Sequence, residues 1–285
     1  RMVDGGPNEV WLNSSHPPDG WEASTVETGV LTGFGDPDID IAVDAEGVPH
    51  LAYYRVSAGE LGYAREAGSS WDIQTPYDDG TTYDDGHDPS IAIDPVSGHP
   101  SITFGTHGEA SAGDTNVYRT LYDGPNWNEE WIDFWMDYLT GTSHAFDSTG
   151  TPAVAYGNTA SGEAVYSFST GSSWQQSTID SDSGDNVPSL EFTDADEPAV
   201  AFFDATSQEL RYSWSEDGGT SWNSQLVASV AAGVEGVDLE FTTGGQPAIS
   251  YYDATGGILS LYYASYDGSW STEEVLAVAT GATTD

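Results

Sequence analysis

One β-hairpin pattern is written five times along this chain, and no other feature of the sequence constrains the fold as strongly. Each copy has an apolar strand, a polar turn that contains Gly or Asp, a Pro and a second strand, which is the pattern expected of a hairpin. The Pro residues are 51, 52, 46 and 49 positions apart, at Pro49, Pro100, Pro152, Pro198 and Pro247. A period near fifty residues predicts stacked supersecondary units.

Two more strands complete each repeat. A third strand follows the hairpin, and after a short Gly-containing turn a Trp opens the fourth strand. These residues are Trp21, Trp71, Trp127, Trp174, Trp222 and Trp270. Four short antiparallel strands at this period are typical of a propeller blade, whereas a β-sandwich would not repeat its sequence. The sequence therefore predicts an all-β fold, a β-propeller of four-stranded antiparallel blades.

Five complete blades and one incomplete unit are expected. Residues 1–30 align only with the third and fourth strands, so we predict a half blade there. Within a single domain, 1–285, the complete blades are predicted at 36–80, 87–134, 141–180, 186–229 and 236–279. The hairpin after Trp270 would run past Asp285, so we expect a fragment of a longer chain, with six blades favoured. Seven blades remain an alternative, as do five with a spare flap that would leave an unpaired edge.

The charge of the chain bears on its setting and its partners. Acidic residues number 47 against five basic ones, all of them Arg, and the formal net charge is −42. Such self-repulsion weakens a compact fold in dilute buffer, whereas molar salt shortens the Debye length to about 3 Å. We therefore expect a halophilic archaeal protein, secreted or at the cell surface. Nucleic acids and anionic membranes are unsuitable partners, because they require clustered Lys and Arg.

Two further classes are excluded by what the sequence lacks. The chain has no Cys, which excludes disulfide frameworks and thiolate metal sites. No apolar run approaches the roughly 20 residues that a membrane-spanning helix needs. We therefore expect no membrane insertion in this segment.

One turn between a third and a fourth strand carries a complete motif. The stretch SEDGGTSW, Ser215 to Trp222, follows the pattern Ser-x-Asp-x-Gly-x-Thr/Ser-Trp, and other repeats have shorter forms such as YDGPNW and SYDGSW at the same place. In this motif the chain resembles the Asp-box, or BNR-repeat, propellers of the sialidase-like superfamily. The resemblance implies a structural role for Ser215, Asp217, Gly219 and Trp222, on the face opposite the family's catalytic mouth. The Asp217 carboxylate can accept hydrogen bonds from the amides of a turn, and Gly219 permits a positive φ.

The same resemblance does not carry sialidase catalysis to this chain. The family's site implies three Arg around a substrate carboxylate, a Tyr with a carboxylate partner and an Asp acid. Apart from Arg1, the chain offers Arg55 and three Arg within third strands: Arg65, Arg119 and Arg211. Since bidentate Arg is hard to replace in such a site, we expect a non-catalytic propeller.

Propellers bind ligands at the mouth of the channel, where second strands end, and this analogy defines a search region. The residue six positions after each repeat Pro lies there: Arg55, Thr106, Asn158, Asp204 and Asp253. With His107 these are the predicted ligand-binding residues. The alternative is that they only begin turns, for which Asp and Asn are suited.

Metal binding is a further alternative, although we expect no cofactor. His87, His107 and His144 lie near predicted loops at the mouth, where three imidazoles could hold a transition metal or act as a base. Their spacing matches no local metal motif. The acidic stretches 77–88 and 180–186 could bind Ca²⁺, or they are solvated loops of a salt-adapted surface.

Three functions follow from these features. The first is a ligand- or protein-binding propeller, with a carbohydrate or a protein at the cell surface as its partner. The second is a carbohydrate-active enzyme, either a divergent sialidase-like glycoside hydrolase or a polysaccharide lyase that uses His107 with Tyr53 or Tyr156. The third is a structural segment of an adhesin or filament.

Overall fold

The chain is described here by a computed structural model, and every regular element in it is a β-strand. The described residues are 2–4, 9–15, 21–30, 38–78, 80, 84–107, 115–136, 139–158, 160–183, 188–231, 233–254 and 258–279. Within these ranges no helix is long and apolar enough to cross a bilayer. The chain divides into two compact units, Arg1–Phe134 and Trp135–Asp285.

The first unit has three antiparallel sheets. Sheet 1 contains β1 (Met2–Asp4), β2 (Glu9–Ser15) and β3 (Trp21–Thr28). Sheet 2 contains β4 (Ile39–Val43), β5 (Pro49–Arg55), β6 (Glu60–Ala67) and β7 (Ser70–Tyr77). Sheet 3 contains β8 (Asp84–Ile93), β9 (Pro100–His107), β10 (Thr115–Tyr122) and β11 (Trp127–Met136).

Sheet 1 corrects one expectation about the half blade at 1–30. That segment has three strands instead of two, because the short β1 pairs with β2 through Val3 and Trp11. An edge strand exposes unpaired backbone groups, and β1 supplies partners for those of β2.

The second unit has three four-stranded antiparallel sheets. Sheet 4 contains β12 (Leu139–Phe146), β13 (Pro152–Asn158), β14 (Glu163–Ser169) and β15 (Trp174–Asp180). Sheet 5 contains β16 (Ser189–Phe192), β17 (Pro198–Asp204), β18 (Glu209–Trp214) and β19 (Asn223–Ser229). Sheet 6 contains β20 (Val234–Phe241), β21 (Pro247–Asp253), β22 (Ile258–Tyr266) and β23 (Trp270–Ala279). The predicted four-stranded antiparallel pattern is confirmed.

A polar side chain fixes the turn before the repeat Pro. The Asp44 carboxylate accepts hydrogen bonds from the amides of Glu46 and Val48, at 3.1 and 2.8 Å. Asp147 and Thr193 occupy the same position in sheets 4 and 5 and accept equivalent bonds. The Pro then starts the second strand, where its missing N–H does least harm. We call the end of a sheet that carries this turn and the turn between the third and fourth strands its hairpin end.

A repeated aromatic contact joins sheet 2 to sheet 3, sheet 4 to sheet 5 and sheet 5 to sheet 6. The Trp at the start of a fourth strand packs against the third-strand Tyr of the preceding sheet. The ring centroids are 4.9 Å apart for Tyr63–Trp127, 5.2 Å for Tyr166–Trp222 and 5.5 Å for Tyr212–Trp270. Tilted and edge-on contacts at such distances are favourable beyond their burial. These contacts account for three of the recurring Trp residues, Trp127, Trp222 and Trp270.

The first strands provide a second link between neighbouring sheets. A side-chain oxygen on one first strand accepts a hydrogen bond from a backbone amide on the next. The pairs are Asp40–Ile91 at 2.8 Å, Ser143–Leu190 at 2.9 Å and Ser189–Leu239 at 2.9 Å. Between these links the second strands are covered on both faces, and every residue of β17 is buried. This burial accounts for its continuous apolar sequence.

The complete motif at Ser215–Trp222 is a hydrogen-bonded turn placed on the preceding sheet. Asp217 accepts bonds from the Thr220 and Ser221 amides at 3.0 and 2.8 Å. A bond from the Ser221 hydroxyl, together with these amides, lowers the pKa of Asp217 to about 2. Gly219 has a φ of +89°, and a Cβ added there would lie 2.3 Å from the ring of Tyr166. The turn therefore covers Tyr166 of sheet 4.

Gly219→Ala should destabilise the fold by about 3 kcal/mol, the sum of a left-handed backbone penalty and a steric overlap with Tyr166. Gly218→Ala is the matched control, because Gly218 has a φ of +71° but no atom within 4 Å of its added Cβ. The control should cost only about 1 kcal/mol. Chemical denaturation in molar KCl measures both. Equal losses would show that Gly219 does not contact Tyr166 as described.

Glu191 gives the second unit a pH-dependent stability. It is half-buried on β16, where the equivalent position of sheets 2, 3 and 4 is Ala42, Ala92 and Ala145. Burial, then repulsion from Glu240, raises the pKa of Glu191 to about 7. Because the pKa of Glu191 is higher in the folded state than in the unfolded state, protonation of this carboxyl stabilises the fold. The stabilisation is fully present below pH 4.5 and is lost as the pH rises through 7.

Glu191→Gln should therefore raise the free energy of unfolding by about 2 kcal/mol at pH 8. At pH 4.5 and below, where the native carboxyl is protonated, the change should be small. Denaturation of both proteins across this pH range measures the difference. The exposed Glu273→Gln serves as a control with little effect at any pH, and an equal gain at both extremes for Glu191→Gln would contradict the assignment.

Candidate functional site

The structure places the predicted mouth residue Arg55 in a packed ion pair. Its side chain is 9% exposed, and its Nε lies 3.0 Å from the Glu27 carboxylate. The guanidinium also donates to the Thr75 hydroxyl at 2.7 Å and to the Gln74 carbonyl at 3.1 Å. Arg55 thus fastens sheet 2 to β3, and these bonds occupy the donors that a ligand would require.

The other mouth residues are divided between turns and buried positions. Asp204 accepts bonds from the amide and hydroxyl of Ser207 at 2.8 and 2.5 Å, and Asn158 accepts the Ala160 amide at 3.1 Å. Asp253 is half-buried at the end of β21. Thr106 is fully buried, and its hydroxyl has no hydrogen-bond partner among the described residues. Asp204 and Asn158 therefore begin turns, the alternative role expected for them.

Two of the three predicted metal-binding histidines, His87 and His144, have separate surroundings. His87 packs on Tyr54, with ring centroids 4.0 Å apart, and its Nδ1 is 3.8 Å from the Asp38 carboxylate. His144 is buried, and its Nδ1–H donates to the Ala153 carbonyl at 2.8 Å. The side chain of His107 lies outside the described part of the chain. No group of three or more His, Asp or Glu in the described part is arranged to hold a metal.

The predicted calcium segments fall partly outside the described residues. Positions 79 and 81–83 of the stretch 77–88 lie outside the described residues, as do positions 184–186 of the stretch 180–186. Both stretches therefore stay predictions.

The Tyr residues considered for a polysaccharide lyase are engaged in packing, and so are the Arg residues that a sialidase site would require. Tyr53 and Tyr156 are fully buried; Tyr53 donates to Glu27, and Tyr156 accepts a bond from Gln176 at 3.0 Å. Burial, with the bond to Glu27, raises the pKa of Tyr53 well above its usual range. Each Arg in the described part has a carboxylate partner: Arg55–Glu27, Arg65–Asp44, Arg119–Glu130 and Arg211–Glu209.

A cavity of about 200 Å³ opens at the hairpin ends of sheets 5 and 6, in the second unit. Its walls combine aromatic rings with amide, hydroxyl and carboxylate groups. The lining residues are Thr193, Glu197, Tyr212, Trp214, Gln225, Phe241, Gly245, Gln246, Pro247 and Tyr266. We call it the aromatic cavity.

One wall of the aromatic cavity consists of stacked aromatic rings. Tyr212 and Trp214 stack with centroids 5.7 Å apart, and burial raises the pKa of Tyr212 to about 12. Trp270 packs against both Tyr212 and Tyr266. The buried indole N–H of Trp270 has no partner among the described residues. An unpaired donor of this kind costs about 1–3 kcal/mol, and Trp270 supports the wall without itself lining the cavity.

A second cavity, of about 290 Å³, opens at the hairpin ends of sheets 2 and 3 in the first unit. It is the more polar of the two. The lining residues are Asp44, Glu46, His50, Tyr63, Arg65, Asp72, Gln74, Gly98, His99, Pro100 and Tyr122. We call it the polar cavity.

A chain of three side chains forms the back of the polar cavity. His50 Nδ1 lies 2.6 Å from the Tyr63 hydroxyl, and His50 Nε2 lies 3.2 Å from the Asp44 carboxylate. Burial lowers the pKa of His50, so the neutral ring donates from Nε2 to Asp44 and accepts the Tyr63 proton at Nδ1. Burial opposes ionisation of Asp44, but bonds from the Val48 amide, His50 and Arg65 outweigh it and lower its pKa to about 2.

This cavity was not predicted, because the predicted ligand region was the mouth of the channel and neither His50 nor His99 was among its residues. A comparison of the repeats with one another carries the signal. The position of His50 holds a small residue in the other sheets, namely Ser101, Ala153, Ala199 and Ala248. Its cross-strand partner Arg65 replaces Leu121, Phe168 and Trp214 of sheets 3, 4 and 5. These two departures on one strand pair distinguish sheet 2 from sheets 3, 4 and 5.

Solved structures similar to this chain include sialidases, a six-bladed β-propeller lectin and a polysaccharide lyase. A Hadza microbial sialidase superposes with a TM-score of 0.60 and 13% identity, over 83% of this chain and 58% of the sialidase. A fungal lectin from Aleuria aurantia, a six-bladed β-propeller with a fucose recognition mode, superposes at 0.59 and 12% identity, over 97% and 89%. An ulvan lyase superposes at 0.57 and 14% identity, over 82% and 70%.

No family model and no curated protein matches the sequence. The chain spans 58% of the microbial sialidase and 64% of a similar leech trans-sialidase. At identities this low, the likeness concerns the fold. The chain has the β-propeller fold found among sialidases and fungal lectins, and its blades are the four-stranded antiparallel sheets described above.

Proposed function

We propose that this chain is a non-catalytic carbohydrate-binding propeller and that the aromatic cavity binds an uncharged sugar residue. One observation carries the proposal: Tyr212, Trp214 and Tyr266 form a wall, and Glu197 and Gln246 lie at the same cavity. A sugar ring has an apolar C–H face and a rim of hydroxyls. Aromatic rings that stand beside amide and carboxylate groups match both parts.

The size and composition of the aromatic cavity support a single sugar residue. A volume of about 200 Å³ is smaller than the roughly 300–1,000 Å³ of sites for drug-sized ligands. Glu197 is the one ionisable carboxylate among the lining residues. Glycoside hydrolysis generally requires two carboxyl groups across the scissile bond, so this lining favours binding over hydrolysis.

The setting we propose is extracellular, on or near the surface of a salt-loving archaeon. The net charge of −42 and the absence of Lys support this, since molar salt screens the repulsion between carboxylates. The partner is then a glycan of a cell surface or of a glycoprotein there. Binding assays should be carried out in molar KCl, where the repulsion between carboxylates is best screened.

Trp214→Ala should weaken sugar binding at least about tenfold, because it removes the stacking surface. The probes are the methyl glycosides of glucose, galactose, mannose, fucose and N-acetylglucosamine, titrated one at a time by calorimetry. Gln246→Ala, at an exposed turn position, should also weaken binding while leaving the core intact.

Trp131→Ala is the matched control, because Trp131 is a 56% exposed Trp on β11 that lines neither cavity. Its affinities should equal those of the natural chain. Unchanged binding by both Trp214→Ala and Gln246→Ala would reject the aromatic cavity as the site. Absence of binding to every glycoside by the natural chain would reject the proposed function.

A further inference from the structure

The aromatic and polar cavities occupy the same position of the repeat. Tyr63 pairs across strands with Ala52 in sheet 2, as Tyr212 pairs with Ala201 in sheet 5. Each of these Tyr residues packs against the Trp of the next sheet. Further lining residues correspond in the same register, as Gln74 with Gln225, Tyr122 with Tyr266, Gly98 with Gly245 and Pro100 with Pro247. One framework therefore builds both cavities.

The length of the turn between the third and fourth strands distinguishes these two junctions from a third. Short turns, Tyr122–Trp127 and Tyr266–Trp270, border the two cavities. Between sheets 4 and 5 stands the complete motif, and its Gly219 lies directly over Tyr166, the counterpart of Tyr63 and Tyr212. The longer turn fills the space that the shorter ones leave open.

The two cavities differ in the side chains mounted on that framework. Arg65 stands in the polar cavity where Trp214 stands in the aromatic one, and both pair with the first residue after the repeat Pro, His50 or Ala199. Arg65 is 43% exposed, and its Nη2 lies 3.4 Å from the Asp44 carboxylate. The Asp44–His50–Tyr63 chain thus holds a partly exposed guanidinium at the cavity wall.

The hydrogen-bonding groups of the polar cavity suit hydroxyls. Arg65 and Asp72 are directly opposed across β6 and β7, so a donor and an acceptor stand side by side, as a vicinal diol requires. Tyr122 contributes an aromatic wall, with its ring 5.9 Å from that of His99. Three carboxylates, Asp44, Glu46 and Asp72, face the single guanidinium. The excess of negative charge repels a ligand that carries a carboxylate.

The Tyr63 hydroxyl belongs to the support of this cavity and not to a reaction. Tyr63 is 3% exposed, lies against Trp127 and donates its proton to His50. Burial raises its pKa well above the usual range of a phenol. A hydroxyl that stays protonated and bonded is a fixed donor, and it keeps the imidazole in the tautomer that binds Asp44.

We propose that the polar cavity is a second carbohydrate site, which binds an uncharged, hydroxyl-rich sugar residue through Arg65 and Asp72. The inference rests on the proposed function, because it extends sugar binding from one cavity to its counterpart in the repeat. The chain then carries two sites of different selectivity, one based on stacking and one on polar contacts. Two sites on one chain allow avid binding to glycans that present several sugar residues.

The test compares two groups of variants by calorimetry with the same methyl glycosides, and adds methyl glucuronide as the charged probe. Arg65→Ala and Asp72→Ala alter the polar cavity, and Trp214→Ala alters the aromatic one. Arg211→Ala is the matched control, because Arg211 is also a third-strand Arg and lines neither cavity. Thermal unfolding of each variant verifies that the fold is intact.

The expected result is two classes of site per chain. Arg65→Ala and Asp72→Ala each weaken one class by about tenfold or more and leave the class that depends on Trp214 unchanged, while methyl glucuronide does not bind at the polar cavity. A single site that Trp214→Ala removes, with no effect of Arg65→Ala or Asp72→Ala, would overturn the second site and leave the proposed function standing. Tighter binding of the glucuronide at the polar cavity would overturn its ligand class. Absence of binding by the natural chain to any probe would overturn both proposals.

Discussion

The packing of a fourth-strand Trp on the third-strand Tyr of the preceding sheet is the contact on which the rest of this architecture depends. It recurs as Tyr63–Trp127, Tyr166–Trp222 and Tyr212–Trp270. Together with the hydrogen bonds between first strands, it sets the spacing of neighbouring sheets within each unit. A large aromatic pair at the hairpin end holds the sheet ends apart, and the turn above the pair then decides whether the gap is filled.

The complete motif and its shortened forms have opposite consequences at this gap. Ser215 and Asp217 hold the long turn so that Gly219 rests on Tyr166. The short turns that end at Trp127 and Trp270 stop before that point, and cavities remain beside Tyr63 and Tyr212. The same repeat therefore forms a filled junction at one place and an open cavity at two others. We propose that single side chains on the shared framework, such as Arg65 and Trp214, set the selectivity of the two cavities.

The sequence predicted the parts of the fold that depend on local pattern. Pro49 and Pro198 begin second strands, as the hairpin pattern indicated, and Trp127 begins a fourth strand. The strand Met2–Asp4 was not predicted, because three residues at a sheet edge carry no periodic signal. The cavities were not predicted, because they form where the turn is shorter than the complete motif. A search for the motif finds the residues that are present and does not reveal the space left where they are absent. His50 was passed over because its bonds to Asp44 and Tyr63 depend on the pairing of neighbouring strands, which a scan along the chain does not reveal.

A crystal structure of the chain soaked with a methyl glycoside that it binds, grown in molar salt, tests the central claim most directly. The account predicts density for a sugar ring against Trp214, between Tyr212 and Tyr266, at the hairpin ends of sheets 5 and 6. A sugar bound instead at the ends of the second strands, near Arg55, Asp204 or Asp253, with the aromatic cavity empty, would contradict it.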